Sequence, residues 1–252
     1  MPQTSNLIFE LKNVTHQFGT LAAVRDVSLH IRAGERVALV GPSGAGKSTL
    51  INLLNGTLTP TQGEVWVLGQ NLVKLSPRGL QQIQRQIGTV YQQYHLVNNL
   101  RVVHNVNAGH LGRWSFLKSV VSLVWPLEVK TAAAALTQVG IPEKIYERTD
   151  RLSGGQQQRV AIARVLVQQP QAILADEPVA SIDPERSREI MRLLRDVTQA
   201  TDKTLVVSLH DIDLARSHCE RIVGMREGQI LFDLPSYQVD ETLIRALYKI
   251  TI

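Results

Sequence analysis

The residues best suited to chemistry form a glycine-rich stretch between an apolar run and a predicted helix. Gly41-Pro42-Ser43-Gly44-Ala45-Gly46-Lys47-Ser48 matches the phosphate-loop pattern, and the run Arg36–Val40 before it is typical of a buried strand. Glycines let backbone N–H groups wrap a polyphosphate, and the N-terminus of the following helix adds positive potential. Lys47 can reach the β- and γ-phosphates, and the Ser48 hydroxyl can bind Mg²⁺. This stretch therefore predicts a site for a polyphosphate and Mg²⁺.

Two adjacent carboxylates follow a second apolar run. Asp176 and Glu177 come directly after the predicted strand Ala172–Ala175, and strand alternation points adjacent side chains in different directions. Asp176 is suited to the Mg²⁺ shell, through a water or a hydroxyl, and Glu177 to polarising or deprotonating an attacking water. Alone, the pair also fits a charged strand end that faces solvent. Beside a phosphate loop, it favours hydrolysis of the bound polyphosphate.

A third stretch lies at a predicted helix start. In Leu152-Ser153-Gly154-Gly155-Gln156, the spacing of Ser153 and Gln156 is that of a capping box. An exposed, glycine-rich helix N-terminus is also an anion site, so the geometry that stabilises the helix could hold a γ-phosphate. The two interpretations are compatible.

Composition and charge narrow the class of protein. The 252 residues are 44% hydrophobic and 19% charged, which predicts one globular domain. The single cysteine, Cys219, excludes an intramolecular disulfide and is expected to be a small buried side chain in a reducing compartment. Residues 1–10 do not resemble a secretory signal, and no run approaches the roughly 18 apolar residues of a membrane span, so we expect a soluble, cytosolic chain.

The net charge of +5 comes from one segment. No acidic residue lies between Glu64 and Glu128, whereas six basic residues do: Lys74, Arg78, Arg85, Arg101, Arg113 and Lys118. Without a compact Lys/Arg run, nucleic-acid binding is not favoured. The segment is either an ordinary solvated face or a surface that meets anionic lipid headgroups or an acidic partner.

The periodicity of the chain predicts an α/β fold. Residues 100–150 indicate a helical subdomain, and their clearest helical run is Ala132–Val139. Asp183 and Pro184 are a good N-cap and first position for a later helix. Strands are predicted at Leu7–Val14, Val24–Ile31, Arg36–Val40, Glu64–Leu68, Ile87–Tyr91, Ala172–Ala175, Thr204–Ser208, Ile222–Arg226 and Gln229–Asp233, and helices from Lys47, from Asp183 and over Asp240–Tyr248.

Together with His210 after Val206-Val-Ser-Leu, these motifs resemble an ATP-binding cassette (ABC) ATPase over essentially the whole chain. The resemblance implies a P-loop NTPase ABC nucleotide-binding domain: a RecA-like core with an antiparallel β subdomain (residues 1–99 and 151–252) and a helical subdomain (about 100–150). Two small departures are Tyr91, where phenylalanine is commoner, and Ser181-Ile182-Asp183, where a Leu-Asp sequence is usual. Neither puts activity in doubt.

The same resemblance assigns roles to individual residues. Catalytic roles fall to Glu177, to His210 as the holder of the γ-phosphate, and to Gln92 as the Mg²⁺-sensing contact to a permease. The nucleotide-binding residues are Phe18, which stacks on adenine, Gly41 to Ser48, Thr49, Ser153, Gly154, Gly155, Gln156 and Asp183; those expected at the metal are Ser48, Gln92 and Asp176. Ser153 to Gln156 would face the nucleotide of the opposite subunit, and Asp183 would lie at the dimer seam.

ATP and Mg²⁺ are therefore the expected cofactors, and a homodimer closed by two sandwiched ATP molecules is the expected active unit. The expected partners are membrane permease subunits and, indirectly, an extracytoplasmic substrate-binding protein, with no nucleic acid. Such a chain would lie peripherally at the cytoplasmic face of the inner membrane.

The stretches Ala108–Trp114, Leu152–Arg164 and Ile173–Asp183 look most like the ATPase subunit of bacterial phosphonate importers, some relatives of which handle phosphite or phosphate-like anions. An alternative is a mechanical ABC ATPase for lipoprotein release or envelope remodelling, which would have no ligand-binding partner. Nucleic-acid-associated ABC proteins usually need a second cassette, coiled-coil arms or zinc motifs, none of which this sequence contains.

The segment Trp114–Trp125 is the most apolar stretch outside the predicted core. We expect part of it to pack within the helical subdomain. The remainder could line a groove that receives a short helix of a permease.

Overall fold

The computed structural model describes residues 6–180 and 182–249, which form two β-sheets and the helices around them. An antiparallel sheet has the strand order β2-β1-β4-β5, and a larger sheet has the order β10-β9-β3-β8-β7-β6. In the larger sheet every pairing is parallel except that of β10 with β9. The strands are β1 (Leu7–Phe18), β2 (Leu21–Arg32), β3 (Arg36–Val40), β4 (Gln62–Val67), β5 (Gln70–Asn71), β6 (Ile87–Val90), β7 (Ala172–Ala175), β8 (Thr204–Leu209), β9 (Arg221–Arg226) and β10 (Gln229–Pro235).

The helices cover both faces of the larger sheet. They are α1 (Lys47–Leu54), α2 (Pro77–Gln84), α3 (Val102–Asn107), α4 (Phe116–Val124), α5 (Val129–Gln138), α6 (Gly154–Gln168), α7 (Pro184–Ala200), α8 (Ile212–His218) and α9 (Glu241–Tyr248). In the part of the chain that the structure describes, no helix has both the length and the apolar character needed to cross a bilayer.

The core is divided by the alternation of side chains along the parallel strands. On β3, Val37 and Leu39 pack with the antiparallel sheet and α1, whereas Ala38 and Val40 pack with α6 and its neighbours on the other face. Parallel strands that are buried on both faces read as continuous apolar runs, which is why β3 and β7 have the bounds predicted from sequence. The carboxyl ends of these strands therefore meet at one edge of the sheet, where the phosphate loop and the acidic pair follow them.

Several elements differ in extent from the prediction. Strand β1 continues past the predicted end at Val14 to Phe18, and β2 begins before the predicted start at Val24, at Leu21. The two strands continue to pair after their strict alternation of buried and exposed residues ends. Helix α2 was not predicted, although Ser76 caps it by accepting a hydrogen bond from the Gly79 N–H at 3.2 Å and Pro77 opens it. The signals were therefore present in the sequence but lay outside the strong periodic segments.

The predicted helical segment contains α3, α4 and α5. Helix α6 follows it and packs against α3 and α5 on one side and β6 on the other. This helix therefore ties the segment to the larger sheet, while the division at residues 99 and 151 stays a prediction.

Candidate functional site

The phosphate loop joins β3 to α1, and two of its glycines have no substitute. A Cβ atom on Gly41 would lie 2.1 Å from the carbonyl oxygen of Met225, and one on Gly46 would lie 2.4 Å from that of Ala23. Gly46 also has a φ of 100°, which L side chains rarely adopt. A Cβ on Gly44 would meet nothing within 4 Å, so the loop has open space on the side away from the core. The backbone approaches its neighbours closely on one side and leaves room for a bulky anion on the other.

Lys47 lies in the fold of this loop and is only 4% exposed. Its ammonium group donates hydrogen bonds to the carbonyl oxygens of Gly41, at 2.7 Å, and Pro42, at 3.0 Å. Burial lowers the pKa of Lys47, and the nearby charges of Glu177 and Asp176 partly oppose that shift. A buried cation bonded to neutral carbonyls is a suitable partner for phosphate oxygens, which fits a nucleotide in this loop.

Ser48 and Asp176, two of the residues expected at the metal, are in direct contact. The Ser48 hydroxyl donates to Asp176 Oδ1 at 2.9 Å. Among the described residues, no group of three or more His, Cys, Asp or Glu side chains could hold a metal ion. Two oxygen donors at the end of a phosphate loop fit Mg²⁺, which usually takes only one or two protein ligands and completes its shell with phosphate and water oxygens.

Glu177 points away from that pair and towards His210. Its Oε1 lies 2.7 Å from Nε2 of His210, and its backbone has a φ of 46°. The different directions of the two adjacent carboxylates agree with the sequence-based expectation. One end of the site thus has two oxygen donors in contact with each other, and the other has a carboxylate in contact with an imidazole.

Gln92 lies elsewhere. It lines a cleft of about 490 Å³ with Gly154, Gly155 and Asp183. Within residues 6–180 and 182–249, no hydrogen bond joins Gln92 to Ser48 or Asp176. The structure therefore groups Gln92 with the glycine-rich helix start, and its role at the metal stays a prediction.

Two helix caps border this cleft, and both were predicted. Ser153 and Gln156 form a reciprocal capping box at the start of α6, and an added Cβ on Gly154 or Gly155 would meet nothing within 4 Å. Asp183 caps α7 by accepting a hydrogen bond from the Arg186 N–H at 3.0 Å. The helix start of α6 is thus stabilised and open on its outer side.

Phe18 and Thr49 complete the set of predicted binding residues. Phe18 pairs with Leu21 at the turn between β1 and β2, is 51% exposed, and meets the ring of His16 edge-on at 4.6 Å. The same hairpin contacts the phosphate loop, since the Ala23 carbonyl packs against Gly46. Thr49 follows Ser48 in the first turn of α1 and is partly buried. Phe18 thus offers an open aromatic face beside the loop.

The apolar segment Trp114–Trp125 packs less than expected. The side chains of Phe116, Leu117, Val120, Val121, Val124 and Trp125 on and after α4 are 46% to 84% exposed. Ser122 on the same helix is buried, and its carbonyl lies 3.0 Å from Nδ1 of His104. Trp114 stacks on His110 at 4.9 Å and lies under the Lys118 ammonium. The described part of α4 is therefore mainly an exposed apolar surface.

Ser208 is a site residue that the sequence reasoning missed. Its hydroxyl contacts both members of the acidic pair, at 2.8 Å each. The available signal was a serine in the otherwise apolar run Leu205–Leu209, two residues before His210. Cys219, by contrast, is buried as expected, and burial raises the pKa of its thiol to about 12.

Comparison with known proteins identifies the class. Residues 24–180 match the family model described as ABC transporter, so the chain belongs to the ABC transporter family and is an ATP-binding cassette ATPase. Its fold agrees with two solved cassettes. One is a dimeric cassette in a post-hydrolysis state bound to ADP and Pi, with 34% identity, a TM-score of 0.77, and coverage of 90% of this chain and 98% of that one. The other is cbiO1 of Clostridium perfringens, part of the transporter complex cbiONQ, with 28% identity, a TM-score of 0.81, and coverage of 96% and 94%.

The relatives narrow the group further. The phosphonates import ATP-binding protein PhnC 3 of Halalkalibacterium halodurans is 45% identical over 243 residues, which are 96% of this chain and 94% of the relative. PhnC of Pseudomonas fluorescens is 46% identical over 233 residues, 92% of this chain and 88% of the relative. The chain is thus similar, over nearly its whole length, to ATP-binding proteins named for phosphonate import.

Proposed function

We propose that this chain is the ATP-hydrolysing subunit of an importer for a phosphonate or a related phosphorus oxyanion. The observation that carries the proposal is the near full-length similarity to phosphonates import ATP-binding proteins, and the contacts of Ser48 with Asp176 and of Glu177 with His210 support it. The alternative, a mechanical cassette for lipoprotein release or envelope remodelling, has no comparable support.

In the proposed reaction, the loop Gly41–Thr49 holds the phosphates of ATP, and Phe18 stacks on the adenine. Ser48 and Asp176 would hold Mg²⁺ and Gln92 would sense it, and the ion would supply positive charge that neutralises the phosphates. Lys47 exchanges its two carbonyl partners for phosphate oxygens.

Glu177 accepts the proton of the attacking water, or polarises that water, at Oε1 or Oε2. His210 orients this carboxylate through Nε2 and donates a hydrogen bond to the γ-phosphate when it turns towards it. The two groups act on the same phosphate, one on the nucleophile and the other on the transferred group.

The active unit in this proposal is a homodimer. One copy of this chain has one phosphate loop, after β3, and one glycine-rich helix start, at α6, and in the proposed dimer a second copy brings the two together on one nucleotide. Ser153 to Gln156 would then contact the γ-phosphate of the opposite subunit, and Asp183 would lie at the seam. ATP closes the two halves and hydrolysis lets them part.

The dimer would lie at the cytoplasmic face of the inner membrane, bound to permease subunits. An extracytoplasmic binding protein would deliver the cargo to the permease. The exposed surface of α4 supports a permease contact, because its exposed apolar side chains are grouped on one helix and monomeric soluble proteins rarely expose large contiguous apolar patches. Replacing Trp125, which is 71% exposed, with Ala should reduce transport more than basal ATP hydrolysis. Trp114→Ala is tested beside it, because Trp114 also stacks on His110 within the chain. Equal loss of transport and of ATP hydrolysis in both variants would indicate misfolding instead.

The test of the cargo is ATP turnover by the complex co-purified with this chain, with its binding protein added. The complex is titrated separately with a phosphonate, phosphite, phosphate and methionine. Stimulation by the phosphonate or by phosphite alone would support the proposal. A co-purified membrane partner with no response to any ligand would move the assignment to the mechanical class.

A further inference from the structure

Ser208 lies between the two carboxylates of the proposed site. It belongs to β8, next to β7, and its side chain has no solvent exposure. Its Oγ accepts a hydrogen bond from the Glu177 N–H and donates one to Asp176 Oδ1. Asp176 Oδ1 also accepts the hydroxyl of Ser48. One chain of hydrogen bonds thus runs from the backbone of Glu177 to the start of α1.

The buried hydroxyl of Ser208 accepts a hydrogen bond from a residue with an unusual backbone conformation. At Glu177 the chain leaves β7 with a φ of 46°, a left-handed conformation that non-glycine residues seldom adopt. The Glu177 N–H at this turn donates to the side chain of Ser208, at 2.8 Å from Oγ. A buried N–H without an acceptor would disfavour this conformation.

We infer that Ser208 is a positioning residue. Its hydroxyl keeps the carboxylate of Asp176 directed at Ser48 and that of Glu177 directed at His210. This inference rests on the proposed function, in which the first carboxylate serves Mg²⁺ and the second the attacking water. Ser208 touches neither nucleotide nor water in this role. It acts through the two carboxylates, whose hydrogen bonds it shares.

The first test measures nucleotide affinity with and without Mg²⁺ for Ser208→Ala. We expect the gain in ATP affinity on adding Mg²⁺ to fall about tenfold, since loss of an outer partner of a metal ligand typically costs 10- to 100-fold. ATP affinity in excess chelator should stay within about twofold of the wild type, because the phosphate loop keeps its own contacts. The kcat for ATP hydrolysis should fall by about 10- to 100-fold, and the KM for MgATP should rise in step with the tenfold loss of Mg²⁺-dependent affinity.

Thr204→Val provides the matched control. Thr204 is at the other end of the same strand, is 1% exposed, and uses its hydroxyl to accept from the Gly34 N–H at 3.0 Å and to donate to the Arg32 carbonyl at 3.4 Å. Both variants lose one buried hydroxyl from β8 and should lower the thermal midpoint by a similar few degrees, on the order of 2–4 °C. Only Ser208→Ala should change the Mg²⁺ dependence. Ser208→Thr, which keeps the hydroxyl, should keep the Mg²⁺ dependence of the wild type.

The outcomes separate the two proposals. A wild type that binds ATP without any Mg²⁺ dependence, or does not hydrolyse it, would overturn the proposed function and this inference with it. A wild type that shows both, beside a folded Ser208→Ala variant with unchanged Mg²⁺ dependence and kcat, would overturn the positioning role alone. Equal effects of Thr204→Val would also overturn it, because the cause would then be general loosening of β8.

Discussion

At the scale of single residues, Lys47 shows how a binding function leaves its mark on folding energetics. The ammonium group is buried, and the oxygens that it contacts are neutral backbone carbonyls. Burial also lowers the pKa of Lys47, because it disfavours the charged form of the ammonium group. A group held in this way contributes little to folding, and its value lies in the phosphate that it can bind.

Lys47→Met should therefore remove nucleotide binding without unfolding the protein. We expect the free energy of unfolding of the nucleotide-free protein to change by no more than about 1 kcal/mol, because a methionine of similar length replaces a buried charge. Addition of MgATP at about 100 times its Kd should stabilise the wild type by about 2.7 kcal/mol and the variant not at all. Thermal unfolding with and without nucleotide gives both quantities.

Lys118→Met is the control for loss of a positive charge, because Lys118 lies on the exposed helix α4, outside the phosphate loop. It should keep the full stabilisation by MgATP. A Lys47→Met variant that is still stabilised as much as the wild type would contradict the placement of the γ-phosphate at Lys47.

Residue types alone were enough to predict Ser48, Asp176 and Glu177, since each has a chemistry that the phosphate loop demands. Ser208 was not predictable in this way, because a lone serine in an apolar strand is usually read as a tolerated polar residue. Its role depends on the parallel pairing of β7 with β8, which places it beside the acidic pair. Gln92 was predicted by family resemblance, and its position beside Gly154 depends on how the loop after β6 folds.

At the scale of elements, α3 fastens the loop after β6 to the end of the helical segment. Asn105 on α3 is 3% exposed and makes three hydrogen bonds of 2.8 to 2.9 Å. Two of them pair with the N–H and the carbonyl of Val97, and the third reaches the hydroxyl of Thr149. One side chain thus holds the segment that follows Gln92 and the segment that precedes α6 at a fixed separation.

Asn105→Ala should loosen both segments together. Loss of this buried amide removes the side-chain acceptor of the Val97 N–H and the amide donor to the Thr149 hydroxyl, and we expect a fall of about 2–3 kcal/mol in the free energy of unfolding. Hydrogen exchange should become faster at the amide of Val97. Asn99→Ala, at an exposed position of the same loop, should change stability by less than about 0.5 kcal/mol. Unchanged exchange at Val97 in the Asn105 variant would contradict this account.

The elements that were predicted with correct bounds are those with a local cause. Strand β3 is a short apolar run bounded by Gly41, and α7 begins at its Asp183 cap and Pro184. The exposure of α4 could not be predicted, because its apolar residues carry the same local signal whether a neighbouring element covers them or not. What covers an apolar helix is a property of the assembly.

At the scale of the whole molecule, the predicted binding residues fall into two groups on one chain. The phosphate loop, the acidic pair and His210 form one group at the carboxyl ends of the central strands. Gln92, the start of α6 and the Asp183 cap form the other, in a cleft of their own. In the proposed homodimer, another copy brings its second group to a nucleotide bound in the first, and cassettes of this fold have been solved as dimers.

Glu177→Gln should therefore accumulate as a dimer in MgATP. The amide cannot accept the proton of the attacking water, so hydrolysis should fall by at least about 100-fold, within the range of general-base catalysis. It also removes one negative charge from beside the γ-phosphate, which favours the closed, ATP-bound form. Light scattering after gel filtration should give a mass near twice the 28.0 kDa of the chain in MgATP and a mass near 28.0 kDa in MgADP.

The double variant Lys47→Met/Glu177→Gln should stay monomeric in both, because closure depends on bound ATP. A Glu177→Gln protein that is saturated with ATP and still monomeric would contradict the shared site, even if its hydrolysis were lost as expected.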